Sequence, residues 1–146
     1  VLTDGGMYYS DDGTELKKFN TRDGMGIALL HQNGIKTAII TGENNELVKR
    51  RADKLNADYV YLGIKDKLAV IREIISKENI TLDEIAYIGD DINDLPAMQH
   101  VGIKFSVNDA MDKVKSIADY VAKLNGGRGA VREIAELIIF SKNIPR

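Results

Sequence analysis

Apolar and polar positions alternate along the chain with a period that changes several times, and the changes mark the elements. Met7-Tyr8-Tyr9 and Thr14-Glu15-Leu16-Lys17-Lys18-Phe19 read as two strands, joined by Ser10-Asp11-Asp12-Gly13, whose Asp-Gly supplies a positive φ. A helical spacing runs from about Asp23 to Asn33, with Ile27, Leu29 and Leu30 on one side and Gly34 as its stop. Lys36 to Ile40 is a short, partly β-branched run that ends at Thr41-Gly42 and suits a buried parallel strand. The alternation then repeats. A helix is expected over Glu46 to Leu55, a strand at Tyr59-Val60-Tyr61, and a helix over Lys67 to Glu78 with Leu68, Ile71, Ile74 and Ile75 on one face. Thr81 to Glu84 is a capped turn, and the strand Ile85 to Ile88 runs straight into Gly89-Asp90-Asp91. Beyond it lie a short helix near Asp94 to His100, a strand Val101 to Phe105, a helix Ala110 to Ile117, a strand Tyr120-Val121 and a last helix Val131 to Phe140.

Strands alternating with helices predict an α/β fold: a doubly wound, Rossmann-like parallel sheet with right-handed crossovers. The chain has 146 residues and no repeat or low-complexity stretch, so a single domain over 1–146 is expected. Its 20 basic and 22 acidic residues are interspersed, leaving a net charge of −2 and no electrostatic footprint for nucleic acid. No apolar stretch approaches the roughly 20 residues of a membrane span. The start, Val1-Leu2-Thr3-Asp4, has neither the basic nor the apolar region of a secretion signal, so a cytoplasmic location is expected. Without cysteine, any chemistry falls to oxygen and nitrogen groups.

In such a sheet, ligands sit beyond the carboxyl ends of the strands. Three acids in Gly89-Asp90-Asp91-Ile92-Asn93-Asp94 suit a hard, oxygen-liganded cation such as Mg²⁺, because adjacent carboxylates repel unless something positive neutralises them. Equally, Asp91 or Asp94 can serve only to cap the next helix. Thr41-Gly42 offers a hydroxyl and a backbone N–H at a strand end, a phosphate cradle or an ordinary turn. Lys67 opens a helix, where the dipole disfavours a cation; a bound anion would explain it, and so would simple solvation. Together, on successive strand ends, these groups read as phosphoryl transfer, with the charge on the transferring group countered by Mg²⁺ and lysine.

With these motifs the sequence resembles the haloacid dehalogenase superfamily, in its small capless branch of sugar-acid phosphatases acting on 3-deoxy-manno-octulosonate 8-phosphate or nonulosonate 9-phosphates. The matching segments run from Val1-Leu2-Thr3-Asp4-Gly5-Gly6 through Phe19 to Gly24, Ile39 to Glu43, Lys65-Asp66-Lys67 and Ile88 to Asp91, ending at Gly126 to Glu133. The resemblance implies that Thr41 and Lys67 bind phosphate, that Asp90 binds Mg²⁺, and that Asp91, Asn93 and Asp94 support metal and lysine. It makes residues 7–19 a flap that builds a homotetramer, with Asn20, Thr21 and Asp23 facing substrate. The family's nucleophile and acid/base aspartates stand in an apolar strand followed by Asp-x-Asp-Gly, directly before the Val1-Leu2-Thr3-Asp4 equivalent. Here that motif is absent. Placing Val1 to Gly6 on the nucleophile strand instead puts Gly6 at the acid/base position. The missing strand would be the central one, between residues 35–40 and 85–88, and unpaired backbone groups there would cost about 1–3 kcal/mol each. The natural protein is therefore expected to carry a further N-terminal segment with the nucleophile, and the chain as written to lack turnover.

The family's eight-carbon branch has Arg after Thr-Gly, where this chain has Glu43. A carboxylate does not bind a carboxylate, so Arg51 and Lys54 are expected to supply the positive charge, while Gly42 lines the site and Glu43 accepts from sugar hydroxyls. The competing reading makes Arg50, Arg51 and Lys54 a solvated helix face. On this resemblance a nine-carbon 2-keto-3-deoxy sugar-acid phosphate ranks above the eight-carbon one. A non-catalytic alternative is the oligomerisation domain that follows some sialic acid cytidylyltransferases.

Overall fold

In the computed structural model, which describes residues 1–143, the first pairing is an antiparallel hairpin of β1 (Tyr8–Tyr9) and β2 (Glu15–Leu16). Asp12 closes its turn by accepting the Thr14 N–H at 2.9 Å, and Gly13 takes φ +84°. The strands are shorter than the alternation predicts. Thr3 forms an isolated bridge with Phe19, so the hairpin's two ends meet at its base.

Side-chain caps set the helix starts. Asn20 accepts the Arg22 N–H at 2.8 Å and opens α1 (Thr21–Gln32) two residues ahead of the expected Asp23. Asn45 and Asp66 do the same for α2 (Glu46–Lys54) and α3 (Lys67–Glu78). The parallel strands are β3 (Ala38–Ile40), β4 (Tyr59–Tyr61), β5 (Ala86–Gly89), β6 (Ile103–Ser106) and β7 (Tyr120–Val121). The remaining helices are α4 (Leu95–Met98), α5 (Asp112–Ile117) and α6 (Ala130–Lys142). Val101, expected to open a strand, is instead a buried residue of the core ahead of β6.

The parallel sheet is in two pieces. β3 pairs only with β4, with Ile39 opposite Val60, and the second piece runs β5-β6-β7, with Ile88 opposite Phe105. Among the described residues, no strand pairs with the other edge of either β3 or β5. Around the larger piece, Met98, Phe105, Val107, Val114, Ala122 and Ile134 form a buried cluster, and Ile71, Ala97 and Val101 form a second one that Ile40 and Tyr87 join.

Helices α1 and α6 pack together, and a buried carboxylate joins them. Asp23 is fully buried and accepts N–H groups from Gly129 at 3.2 Å, Val131 at 3.0 Å and Arg132 at 3.4 Å. This corrects the expectation that Asp23 faces substrate: it caps the N-terminus of α6, where unpaired N–H groups and the positive dipole end attract a carboxylate. At Gly127, φ is +64° and a Cβ would stand 2.4 Å from the Thr3 carbonyl carbon, so only glycine lets residues 126–127 fold against the first residues of the chain.

Candidate functional site

The end of β5 and the start of α3 meet at one carboxylate. Beyond β5, Asp94 is buried and its carboxylate takes four hydrogen bonds. Oδ1 accepts from Lys67 Nζ at 2.6 Å and from the Tyr87 hydroxyl at 2.7 Å, while Oδ2 accepts the Asp90 N–H at 2.9 Å and the Asp91 N–H at 3.2 Å. Gly89 makes the approach possible, because a Cβ there would lie 2.9 Å from Asp94 Cβ and 2.5 Å from Met98 Sδ. Burial alone would raise the Asp94 pKa. Lys67, the Asp90 N–H and Tyr87 outweigh it and hold the carboxyl below its ordinary value. Burial and the same carboxylate push the Tyr87 phenol far above its ordinary range, so it stays a donor.

Lys67 is buried at the start of α3. Its charge at a helix N-terminus is balanced by Asp94 across the fold, so of the two explanations offered by sequence simple solvation does not hold. Asp91 caps the 3-10 turn Ile92–Asp94, accepting the Ile92 N–H at 2.7 Å. Asn93 is exposed on the same turn.

On the loop after β3, Thr41 Oγ1 accepts the Glu43 N–H at 3.1 Å, which leaves the hydroxyl proton free to donate outward. Gly42 is exposed beside it. Glu43 Oε2 takes an ion pair at 2.6 Å from Lys17, whose side chain is only 7 % exposed and which also lies 3.4 Å from Glu15. The hairpin is thus tied to the loop that carries Thr41. Arg51 is tied to the hairpin's base: one Nη donates to the Asn20 carbonyl at 3.0 Å, and the guanidinium lies 5.5 Å from the Phe19 ring centre. Arg50 and Lys54 are exposed on this helix, whereas Arg51 is half-buried. Asn20 spends its side chain on capping α1, and Thr21 is exposed at the first turn.

A cleft of about 150 Å³ opens beside Asp90 and Asp91, lined also by Asp4, Asp109, Thr3 and Gly126. Thr41, Lys67 and Asp94 are not part of its lining; the Lys67–Asp94 pair lies behind it, bonded to the backbone N–H groups of Asp90 and Asp91. Asp4 accepts the Gly6 N–H at 3.0 Å and Asp109 accepts the Gly126 N–H at 2.8 Å. A wider groove of about 520 Å³, between Arg22, Lys123, Arg132 and Glu136, contains none of the expected site residues.

Comparison with known proteins decides what this constellation belongs to. Residues 63–134 match the haloacid dehalogenase-like hydrolase family. The chain is 41% identical over 143 residues to the 3-deoxy-D-manno-octulosonate 8-phosphate phosphatase KdsC of Yersinia pestis, covering 98% of this chain and 76% of that protein. The chain belongs to the haloacid dehalogenase-like hydrolases. The likeness extends to solved structures. A probable YrbI family phosphatase from Pseudomonas syringae matches with a TM-score of 0.95 at 40% identity, over 98% of this chain and 81% of that one. The octulosonate 8-phosphate phosphatase from Moraxella catarrhalis, solved with magnesium, phosphate and the sugar acid KDO, matches with a TM-score of 0.93 at 40% identity, over 97% and 81%. The phosphatase family and α/β architecture expected from the motifs are therefore right.

The hydrolase's donor set fits magnesium. All its ligating candidates are hard oxygens, and Asp90 presents a carboxylate with a side chain 44% exposed to the cleft. Among the described residues no group of three ligating side chains occurs. The Val1 nitrogen lies 3.0 Å from Asp90 Oδ2. Sequence missed Tyr87 and Lys17. A tyrosine inside an apolar strand, three residues before Asp90, is a readable signal of a polar handle; Lys17 gave none, because its partner Glu43 is distant in sequence.

Proposed function

We propose that this hydrolase cleaves the phosphomonoester of a 2-keto-3-deoxy sugar acid, with a nine-carbon acid preferred. The observation that carries the reading is the buried Lys67–Asp94 pair bonded to the backbone of Asp90 and Asp91, which joins a phosphate-binding cation to a metal-binding carboxylate in one rigid unit. Thr41 donates its free hydroxyl proton to a phosphate oxygen, and Lys67 directs its remaining N–H groups at the same group. Magnesium, held by Asp90, neutralises charge on the phosphoryl oxygens when bound. Thr21, Asn20, Gly42, Glu43, Asn93, Arg51 and Lys54 surround the sugar acid in this reading. Glu43 has one carboxylate oxygen engaged by Lys17, which leaves the other for sugar hydroxyls.

The eight-carbon acid is the second reading, favoured by the names of the relatives, which are octulosonate 8-phosphate phosphatases. The nine-carbon preference rests on Glu43 at the position after Thr41-Gly42. The nucleophilic aspartate is proposed to stand on a strand between β3 and β5, whose free edges offer it a ladder on each side. The flap hairpin is proposed to assemble a homotetramer, supported by exposed Tyr8, Tyr9 and Leu16 on its strands. The deciding experiment is magnesium-dependent phosphate release by the natural protein from both sugar-acid phosphates. Faster turnover of the nine-carbon compound supports the preference, and faster turnover of the eight-carbon one overturns it. No release from either, by a protein that is tetrameric in light scattering, overturns the enzymatic reading.

A further inference from the structure

Lys67 reaches its buried carboxylate oxygen in company with a second donor, and we propose that Tyr87 is a positioning residue for phosphate binding, acting on Lys67 through Asp94. The inference rests on the reading above that Lys67 holds phosphate. Tyr87 lies on β5 and Lys67 at the start of α3, and their polar atoms meet at one atom, Asp94 Oδ1, at 2.7 and 2.6 Å. The other oxygen is fully engaged by the N–H groups of Asp90 and Asp91.

A carboxylate has about four lone-pair sites, so these donors saturate Asp94. Its position and the direction from which Lys67 approaches are then fixed by two parts of the chain, the start of α3 and the end of β5 with the loop after it. The phenol has a second effect. By sharing Oδ1 it takes part of the carboxylate's acceptor strength, so the ammonium is less completely satisfied internally and keeps more of its charge for an incoming phosphate oxygen. Without the phenol, Oδ1 serves the lysine alone, and the buried pair closes on itself. The ring of Tyr87 packs against both core clusters, so truncation to alanine would disturb the core; phenylalanine keeps the ring and removes only the donor.

The test is calorimetric titration of inorganic phosphate, with magnesium present, into the protein and its Tyr87→Phe, Lys67→Gln and doubly substituted forms. Tyr87→Phe is expected to weaken phosphate binding about fivefold or more, the scale of one altered hydrogen bond to a charged group. In the Lys67→Gln background the same change is expected to shift phosphate affinity less than about twofold, because the group it acts on is gone. Magnesium affinity measured without phosphate is expected to be the same for the protein and Tyr87→Phe. An equal loss in both backgrounds, no loss in the single variant, or a parallel loss of magnesium affinity overturns the positioning role. If Lys67→Gln itself binds phosphate as tightly as the unsubstituted protein, the reading of Lys67 as a phosphate ligand fails first and takes this inference with it.

Discussion

Asp94 shows how much a single side chain can organise. Removing either member of a buried ion pair strands the other, at a cost of about 3–5 kcal/mol. Lys67→Met is therefore expected to lower stability in urea denaturation by about 3 kcal/mol and to weaken phosphate binding in calorimetry. A surface lysine would do neither. At Glu43 the charge decides differently. Its pairing with Lys17 makes Glu43→Arg place two cations together, freeing the loop from the hairpin and presenting a guanidinium to a substrate carboxylate. The ratio of turnover between eight- and nine-carbon substrates is expected to move toward the eight-carbon acid; an unchanged ratio would show that Glu43 does not set the preference.

At the scale of elements, α6 is held by carboxylates at its first turns. Asp23→Ala leaves the N–H groups of Gly129 and Val131 without their acceptor inside the protein, and a loss of about 2 kcal/mol or more is expected by thermal or urea unfolding. Glu133 works from the same helix, accepting the Lys123 N–H at 2.9 Å and the Tyr120 hydroxyl at 2.7 Å. Burial opposes its ionisation, but these bonds hold its carboxyl below the ordinary value of 4.5. A carboxyl lowered on folding contributes stability that is present above its unfolded pKa and is lost as pH falls through the folded one. Glu133→Gln is thus expected to be less stable than the unsubstituted protein at neutral pH and to show a shallower loss of stability below pH 4.5, read from urea midpoints across a pH series.

For the whole molecule, the two-piece sheet and the exposed hairpin are the features that bear on assembly. If the flap seats against other copies, Leu16→Asp places an uncompensated charge on an apolar surface, and light scattering is expected to show tetramer shifting to smaller species while the circular dichroism of the α/β domain is retained. Much of this organisation was legible in the sequence. Strand ends carrying Thr41-Gly42 and Gly89-Asp90-Asp91 stood out because apolar runs stop abruptly at polar groups, whereas the caps Asn20, Asn45 and Asp66 were not read and the first helix begins ahead of the expected Asp23. What local pattern could not reveal was long-range partnership. Asp23 looks like a first-turn acid of α1, yet its partners lie 106 to 109 positions away, and Lys17 finds Glu43 only after the hairpin folds back.

The contacts of Gly127 with Thr3 and of Asp23 with α6 also bear on synthesis at the ribosome. Both close loops that span most of the chain, and each needs residues beyond 125 to have emerged. The sheet pieces and helices up to β6 can form as the chain is made, but the seam that locks α1 and the opening segment in place is sewn last. Nascent chains arrested with residue 125 still inside the exit tunnel should therefore be cut readily within α1 by added protease, and should become resistant once α6 is outside. Early resistance would mean that α1 docks without α6.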